Sequence, residues 1–249
     1  MQQQRPKHEP IFNAPTSVVA LIGILVAIHV ARLPLSIGLD NWFIGLTALI
    51  PARITGLAAE LPGGVAAIFT TPITHMFVHG GAAHLIFNSL WLLIFGSIIA
   101  LRVGALRFLS FSLATGLAGA TLFTLLNWGE EIPVVGASGA ISGLLGGVMR
   151  FLFRAFDYGG IHILRESPRA VPLMSLSETF SDRRVLALIA IWLLLNLISV
   201  FGFDGIDAGG GVAWEAHVGG FVAGLLCYGW FDELRPKPPK KPTHLRVVH

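Results

Sequence analysis

Six stretches of this chain, at about 16–33, 82–101, 105–126, 134–153, 185–203 and 212–230, approach the roughly 20 consecutive apolar residues that a helix needs to cross a bilayer. Lipid offers a backbone amide no hydrogen-bonding partner, so such segments must close their bonds internally. The chain is therefore constrained to an all-α membrane protein, a bundle of six transmembrane helices. Composition agrees, with 54% hydrophobic and 12% charged residues against about 25% charged in soluble domains. The net charge of +3 makes no case for nucleic acid. Lys and Arg flank the apolar spans and form no basic stripe interleaved with aromatics. The single Cys227 lies inside the last span, so no intrachain disulfide is possible, and it reads as a small buried hydrophobe. Arg5 and Lys7 ahead of an apolar run superficially resemble a signal peptide, but no small-residue cleavage pattern stands out and more spans follow. The first run is read as a transmembrane helix.

Residues 1–10 form a short polar lead, 11–232 the membrane domain, and 233–249 a Pro/Lys-rich tail read as disordered. Between the first two spans, residues 41–50 are apolar but too short to cross, and Asp40 and Pro51 bound them. They suit an interfacial helix. The segment Asp157 to Arg184 reads as a polar loop carrying Pro168 and Pro172.

Orientation follows from the basic residues at the span ends. With the N-terminal residues inside, all seventeen Lys and Arg fall on the inner side except Arg32 and Arg53. Both ends are then cytoplasmic, and the second, fourth and sixth spans begin at the outer face. Their opening turns carry His84 and, one turn on, Asn88; Ser138; and His217 respectively. Polar groups from three helices thus arrive at one depth and one side.

That set has a chemical use. A serine hydroxyl becomes nucleophilic when an imidazole takes its proton, and the tetrahedral intermediate then needs hydrogen-bond donors. Ser138 and His217 suit the first two roles, and the Ser138 amide near a helix N-terminus suits the third. His84 and Asn88, spaced i and i+4, share one helical face and can both donate. The plainer reading of Gly136-Ala137-Ser138-Gly139-Ala140 is close helix packing. Gly139, Gly143 and Gly147 on one helix, with Gly220 and Gly224 on another, allow close approach in any case. A rival for His75, His79 and His84 is zinc, although no Cys, Asp or Glu joins them and no His-Glu-x-x-His pattern occurs. His79 reads as a structural hydrogen-bonding residue and Asn196 as glue between helices. Glu215, two residues from His217, points elsewhere on a helix, so a Ser/His dyad fits better than a triad.

In chain order, His79-Gly80-x-x-x-His84-x-x-x-Asn88, Gly136-Ala137-Ser138-Gly139 and Ala216-His217-x-x-Gly220-x-x-x-Gly224 resemble the signature of the rhomboid-family intramembrane serine proteases. The resemblance spans roughly residues 10–232. It implies a six-helix rhomboid-like bundle in which Ser138 is the nucleophile, His217 the general base, and His84 and Asn88 the oxyanion donors. It implies no metal or nucleotide cofactor, and as partners the lipid bilayer and single-pass transmembrane substrates cut near helix-destabilising sites. A compact six-span form suits a bacterial inner membrane. The other readings are a noncatalytic rhomboid-like protein that binds membrane clients and a histidine-lined metal transporter. Two positions depart from the family pattern. Thr70 and Thr71 stand about where relatives often carry Trp-Arg, and Ser142 stands where many carry an aromatic ring packed on the catalytic histidine.

Overall fold

The computed structural model describes residues 14–202 and 212–232, so the segments 1–10 and 233–249 lie outside the described residues. Among the described residues the chain is helical with no strand, and its one isolated bridge pairs Leu49 with Val134. The helices are α1 (Thr16–Arg32), α2 (Ile37–Thr47), α3 (Ala66–Thr74), α4 (Ala82–Trp91), α5 (Ser97–Val103), α6 (Ala105–Leu126), α7 (Ser138–Met149), α8 (Leu152–Tyr158), α9 (Ile163–Glu166), α10 (Leu176–Ser181), α11 (Arg183–Gly202) and α12 (Trp214–Asp232). A π turn over Leu92–Gly96 joins α4 to α5, making one apolar run, Ala82–Val103.

Among the described residues, three runs are long and apolar enough to cross a bilayer: Ala82–Val103, Ala105–Leu126 and Ser138–Tyr158. Helix α1 is apolar but shorter, at 17 residues. The difference from six spans has a physical side. Helix α12 carries Glu215, His217 and Asp232 near its ends and Gly219, Gly220 and Gly224 between them, a composition suited to packing on protein.

Local chemistry sets the element ends. Gly104, at φ +84°, turns the chain between α5 and α6 in a single residue. Helix α2, expected as an interfacial helix, starts earlier than its apolar pattern suggests, because Ser36 caps it by accepting from Leu39 N–H. Asp40 therefore lies in its first turn, where the helix dipole favours a carboxylate. The fourth span starts at Ser138 rather than 134, since Val134 is held in the bridge to Leu49, and it breaks before Leu152, where Phe151 leaves helical geometry at φ −150°. The segment 157–184, read as a loop, holds α9 and also α10, whose Ser175 and Glu178 form a capping box.

Helix α7 is the core of the bundle, with α6 and α12 packed along it. Every residue from Gly136 to Phe151 is buried except Ser138. Glycine makes this density possible. A methyl on Gly220 would collide with the Gly139 carbonyl oxygen, and one on Gly224 with that of Gly143. A methyl on Gly119 would lie 2.5 Å from the Ala216 carbonyl oxygen. Backbone thus meets backbone at the positions where the sequence spaces its small residues by four.

The two basic residues left on the outer side by the charge count are both buried, Arg32 at 8% exposure and Arg53 at 2%. Arg32 forms a two-point ion pair with Asp40 (2.7 and 3.0 Å) and donates to the His79 carbonyl at 2.7 Å. Arg53 donates to the carbonyls of Pro62, at 2.9 Å, and Gly45. Thr74 Oγ1 donates to the Thr47 carbonyl at 2.9 Å. These bonds anchor the long first connection where relatives often use Trp-Arg. Buried Thr71 instead turns its hydroxyl to its own helix, at the Ala67 carbonyl.

At the other end of the bundle, Arg102 pairs with Asp232 at 2.8 Å and donates to the Pro168 and Val171 carbonyls, with the Phe151 ring 4.5 Å beneath its guanidinium. Arg150 donates to the carbonyls of Met174 and Leu225. Charge-assisted bonds of this kind satisfy guanidinium groups that burial would otherwise penalise. They fix α12 and the 159–182 connection to the end of the core.

Candidate active site

Gly136 begins the site. Its φ of +124° favours glycine, and its N–H donates to the His75 carbonyl at 2.8 Å, tying the serine segment to the end of the first connection. A Cβ there would lie 2.8 Å from His84 Nε2 and 3.7 Å from Ser138 Oγ. The His84 ring and the Ser138 hydroxyl therefore share the space that the missing side chain leaves open. Ser138 is the first residue of α7, with Ala137 as its cap. The first N–H groups of a helix have no intrahelical acceptor and carry the positive end of its dipole. The hydroxyl thus sits beside ready donors, at the one point of the segment that is not sealed.

The facing element is the start of α12. The Ala216 carbonyl oxygen lies 3.3 Å from where a Gly139 Cβ would stand, so the residues adjoining Ser138 and His217 touch. Both residues are half-buried. His84 is also half-buried, and its ring meets that of buried His79 edge to face at 5.0 Å. Asn88 is buried one turn along α4 and donates one of its two N–H groups to the His84 carbonyl at 2.9 Å. Of the four expected residues, Ser138 and His84 share one space where α7 and α4 begin, and His217 follows the residue that meets Gly139. Asn88 stands just below them.

The other histidines divide. His75 turns Nδ1–H to the Thr71 carbonyl at 2.8 Å, and burial pushes its imidazole down to about 4, so it is neutral at neutral pH. The His79 carbonyl receives Arg32. Among the described residues no three His, Cys, Asp or Glu side chains come together as metal ligands. Glu215 points away from the imidazole, as read, and accepts from Asn127 at 3.2 Å.

Asn196 does join two helices, as the sequence suggests, but the sequence did not indicate its partner. Its Oδ1 on α11 lies 2.7 Å from Nδ1 of His217 on α12, the imidazole expected as base. The available signal was a lone amide in the apolar run of α11.

The rhomboid domain matches residues 67–233. The chain belongs to the rhomboid family. Among its relatives, RHOMBOID-like protein 4 of Arabidopsis thaliana is 28% identical over 181 residues, 69% of this chain and 38% of that protein. The rhomboid protease GlpG of Yersinia pestis (strain Pestoides F) is 26% identical over 158 residues, 64% of this chain and 46% of that one. The chain spans less than half the length of these relatives. All four expected site residues fall within the rhomboid domain.

Proposed function

We propose that this rhomboid-family protein is an intramembrane serine endopeptidase. The observation that carries the reading is the single break in the sealed run from Gly136 to Phe151. It falls at Ser138, on a helix N-terminus, beside His84 and against the segment that bears His217. As Ser138 Oγ bonds to the scissile carbonyl carbon, its proton passes to His217 Nε2. The tetrahedral oxyanion takes hydrogen bonds from the first amides of α7 and from His84 and Asn88. The C–N bond then breaks, the imidazolium returns the proton to the leaving amine, and water hydrolyses the acyl-serine by the same base. Partners are the bilayer and single-pass membrane proteins. Six helices cross the membrane, with both ends of the chain on the cytoplasmic side and the site near the outer face of a bacterial inner membrane, an orientation supported by the bias of Lys and Arg.

A helical substrate buries its amides in internal bonds and must open before a carbonyl reaches Ser138. The test is incubation of the purified protein with single-pass segments that differ in Gly or Pro content near the outer face. Gly-containing segments should be cut and matched Leu-rich ones should resist. Equal cleavage of both would refute the requirement for opening. Absence of cleavage across the panel, with the segments still bound, would favour the noncatalytic client-binding reading.

Removing one oxyanion donor elsewhere costs about 10²- to 10³-fold in turnover. His84→Ala and Asn88→Ala should therefore each slow kcat by about 100-fold, while a chelator leaves the parent rate unchanged. Activity lost to the chelator and restored by zinc would assign the histidines to a metal instead.

A further inference from the structure

Helix α11 offers the site one polar side chain. Around it Leu193, Leu194, Leu195, Leu197 and Ile198 are exposed, the pattern of a face turned to lipid. Asn196 is half-buried, and both ends of its amide are engaged. Nδ2 donates to the Trp192 carbonyl one turn back, at 2.9 Å. That bond fixes which way the amide faces, so the oxygen is the atom directed at His217, 2.7 Å from Nδ1. A carbonyl oxygen can only accept. His217 must therefore carry its proton on Nδ1 and keep the Nε2 lone pair for the serine. One turn along both helices, the Trp192 and Phe221 rings stack with centroids 4.2 Å apart, which holds the two helices in this register.

Among the described residues, the helices around the base bring few titratable groups toward it. Helix α7 carries no titratable side chain, α6 has only Arg107 near its far end, and α4 has only His84. On α12 itself Glu215 is taken by Asn127, and Asp232 by Arg102 at the opposite end. The basic residues of α11, Arg183 and Arg184, begin that helix, three turns before Asn196. Ser142, one turn beyond Ser138, gives the imidazole no ring to lie against.

We propose that Asn196 is a positioning residue, which fixes the tautomer and orientation of His217 from α11. The proposal rests on the serine-endopeptidase reading and adds to it a Ser-His-Asn arrangement in place of a dyad. During acylation the proton leaves Ser138 Oγ for Nε2, while Nδ1–H remains donated to Asn196 Oδ1. A neutral amide orients the ring without adding charge, so the imidazolium is returned readily to the neutral base.

The test compares purified full-length parent, Asn196→Leu, Asn196→Asp and Ser138→Ala by three measurements. These are kcat and KM on a Gly-containing segment, the rate of serine labelling by a fluorophosphonate, and the pH profile of kcat/KM. A positioned base contributes about 10²- to 10⁴-fold. Asn196→Leu should therefore lose about 10- to 100-fold in both kcat and labelling, with KM nearly unchanged. Asn196→Asp keeps the acceptor and adds a charge beside the imidazole. It should regain much of the loss and move the acidic limb of the profile up by about one pH unit. Parental kcat and labelling in Asn196→Leu would overturn the proposal. So would equal losses in both variants with an unmoved acidic limb, because a packing defect does not titrate the base. Thermal midpoints identify a variant that has merely unfolded, and the Asp variant then decides. Cleavage by Ser138→Ala would instead overturn the endopeptidase reading itself.

Discussion

Ser138→Ala and His217→Ala should each reduce cleavage to background while the protein still folds and inserts. Both positions are half-buried rather than sealed in the core. In the proposed mechanism nucleophile and base act in one step, so losing either leaves the other without a task. In serine proteases with this logic, the double variant loses little more than the worse single one. The residual rate should be what the oxyanion donors and binding supply alone. The measurement is cleavage of a single-pass segment by each purified variant and by the double variant, beside thermal midpoints in detergent. Appreciable turnover by folded Ser138→Ala would sink the mechanism. Losses that multiplied in the double variant would mean that Ser138 and His217 do not share a step.

The residues of the proposed site stand out in the sequence because each is a polar exception in an apolar run. Ser138 and His217 stand near the starts of helices α7 and α12, whose neighbouring residues Gly139 and Ala216 meet. The Asn196 bond was not legible in the same way. It depends on the register between α11 and α12, and no pattern within either helix fixes a register between two helices. Arg32 and Arg53 were visible only as exceptions to the charge bias. Their use, as buried donors to the carbonyls of the first connection, required coordinates for a segment whose shape is not periodic. The end of the fourth span was hidden for another reason. Hydrophobicity runs on through Phe151 and Leu152, while the helix breaks because Phe151 turns into the core beside Tyr228. Apolar content marks what is buried and does not report where the backbone bends.

Gly220→Ala and Gly224→Ala should be the most damaging substitutions outside the catalytic groups, although each adds only a methyl. At both positions the added carbon would meet a backbone carbonyl of α7, Gly139 or Gly143, and a carbonyl in a continuous helix cannot swing aside as a side-chain tip can. The helices must therefore separate. Overpacking of a well-packed core typically costs about 1–3 kcal/mol, and contact with backbone places these two at or above the top of that range. Separation at Gly220 acts within one turn of His217 and opposite the residue after Ser138, so turnover should fall before stability does. Gly224, a turn deeper, should lose stability first. The matched control is Gly23→Ala in α1, where an added methyl meets nothing within 4 Å. It should be neutral or slightly stabilising, since Ala exceeds Gly in helix propensity by about 1 kcal/mol. Thermal midpoint and kcat measured on all three variants decide the matter. If Gly220→Ala and Gly23→Ala behaved alike, the α7–α12 contact would not be the rigid seam that holds Ser138 and His217 in register. The small residues of both helices would then be a matter of composition rather than of geometry.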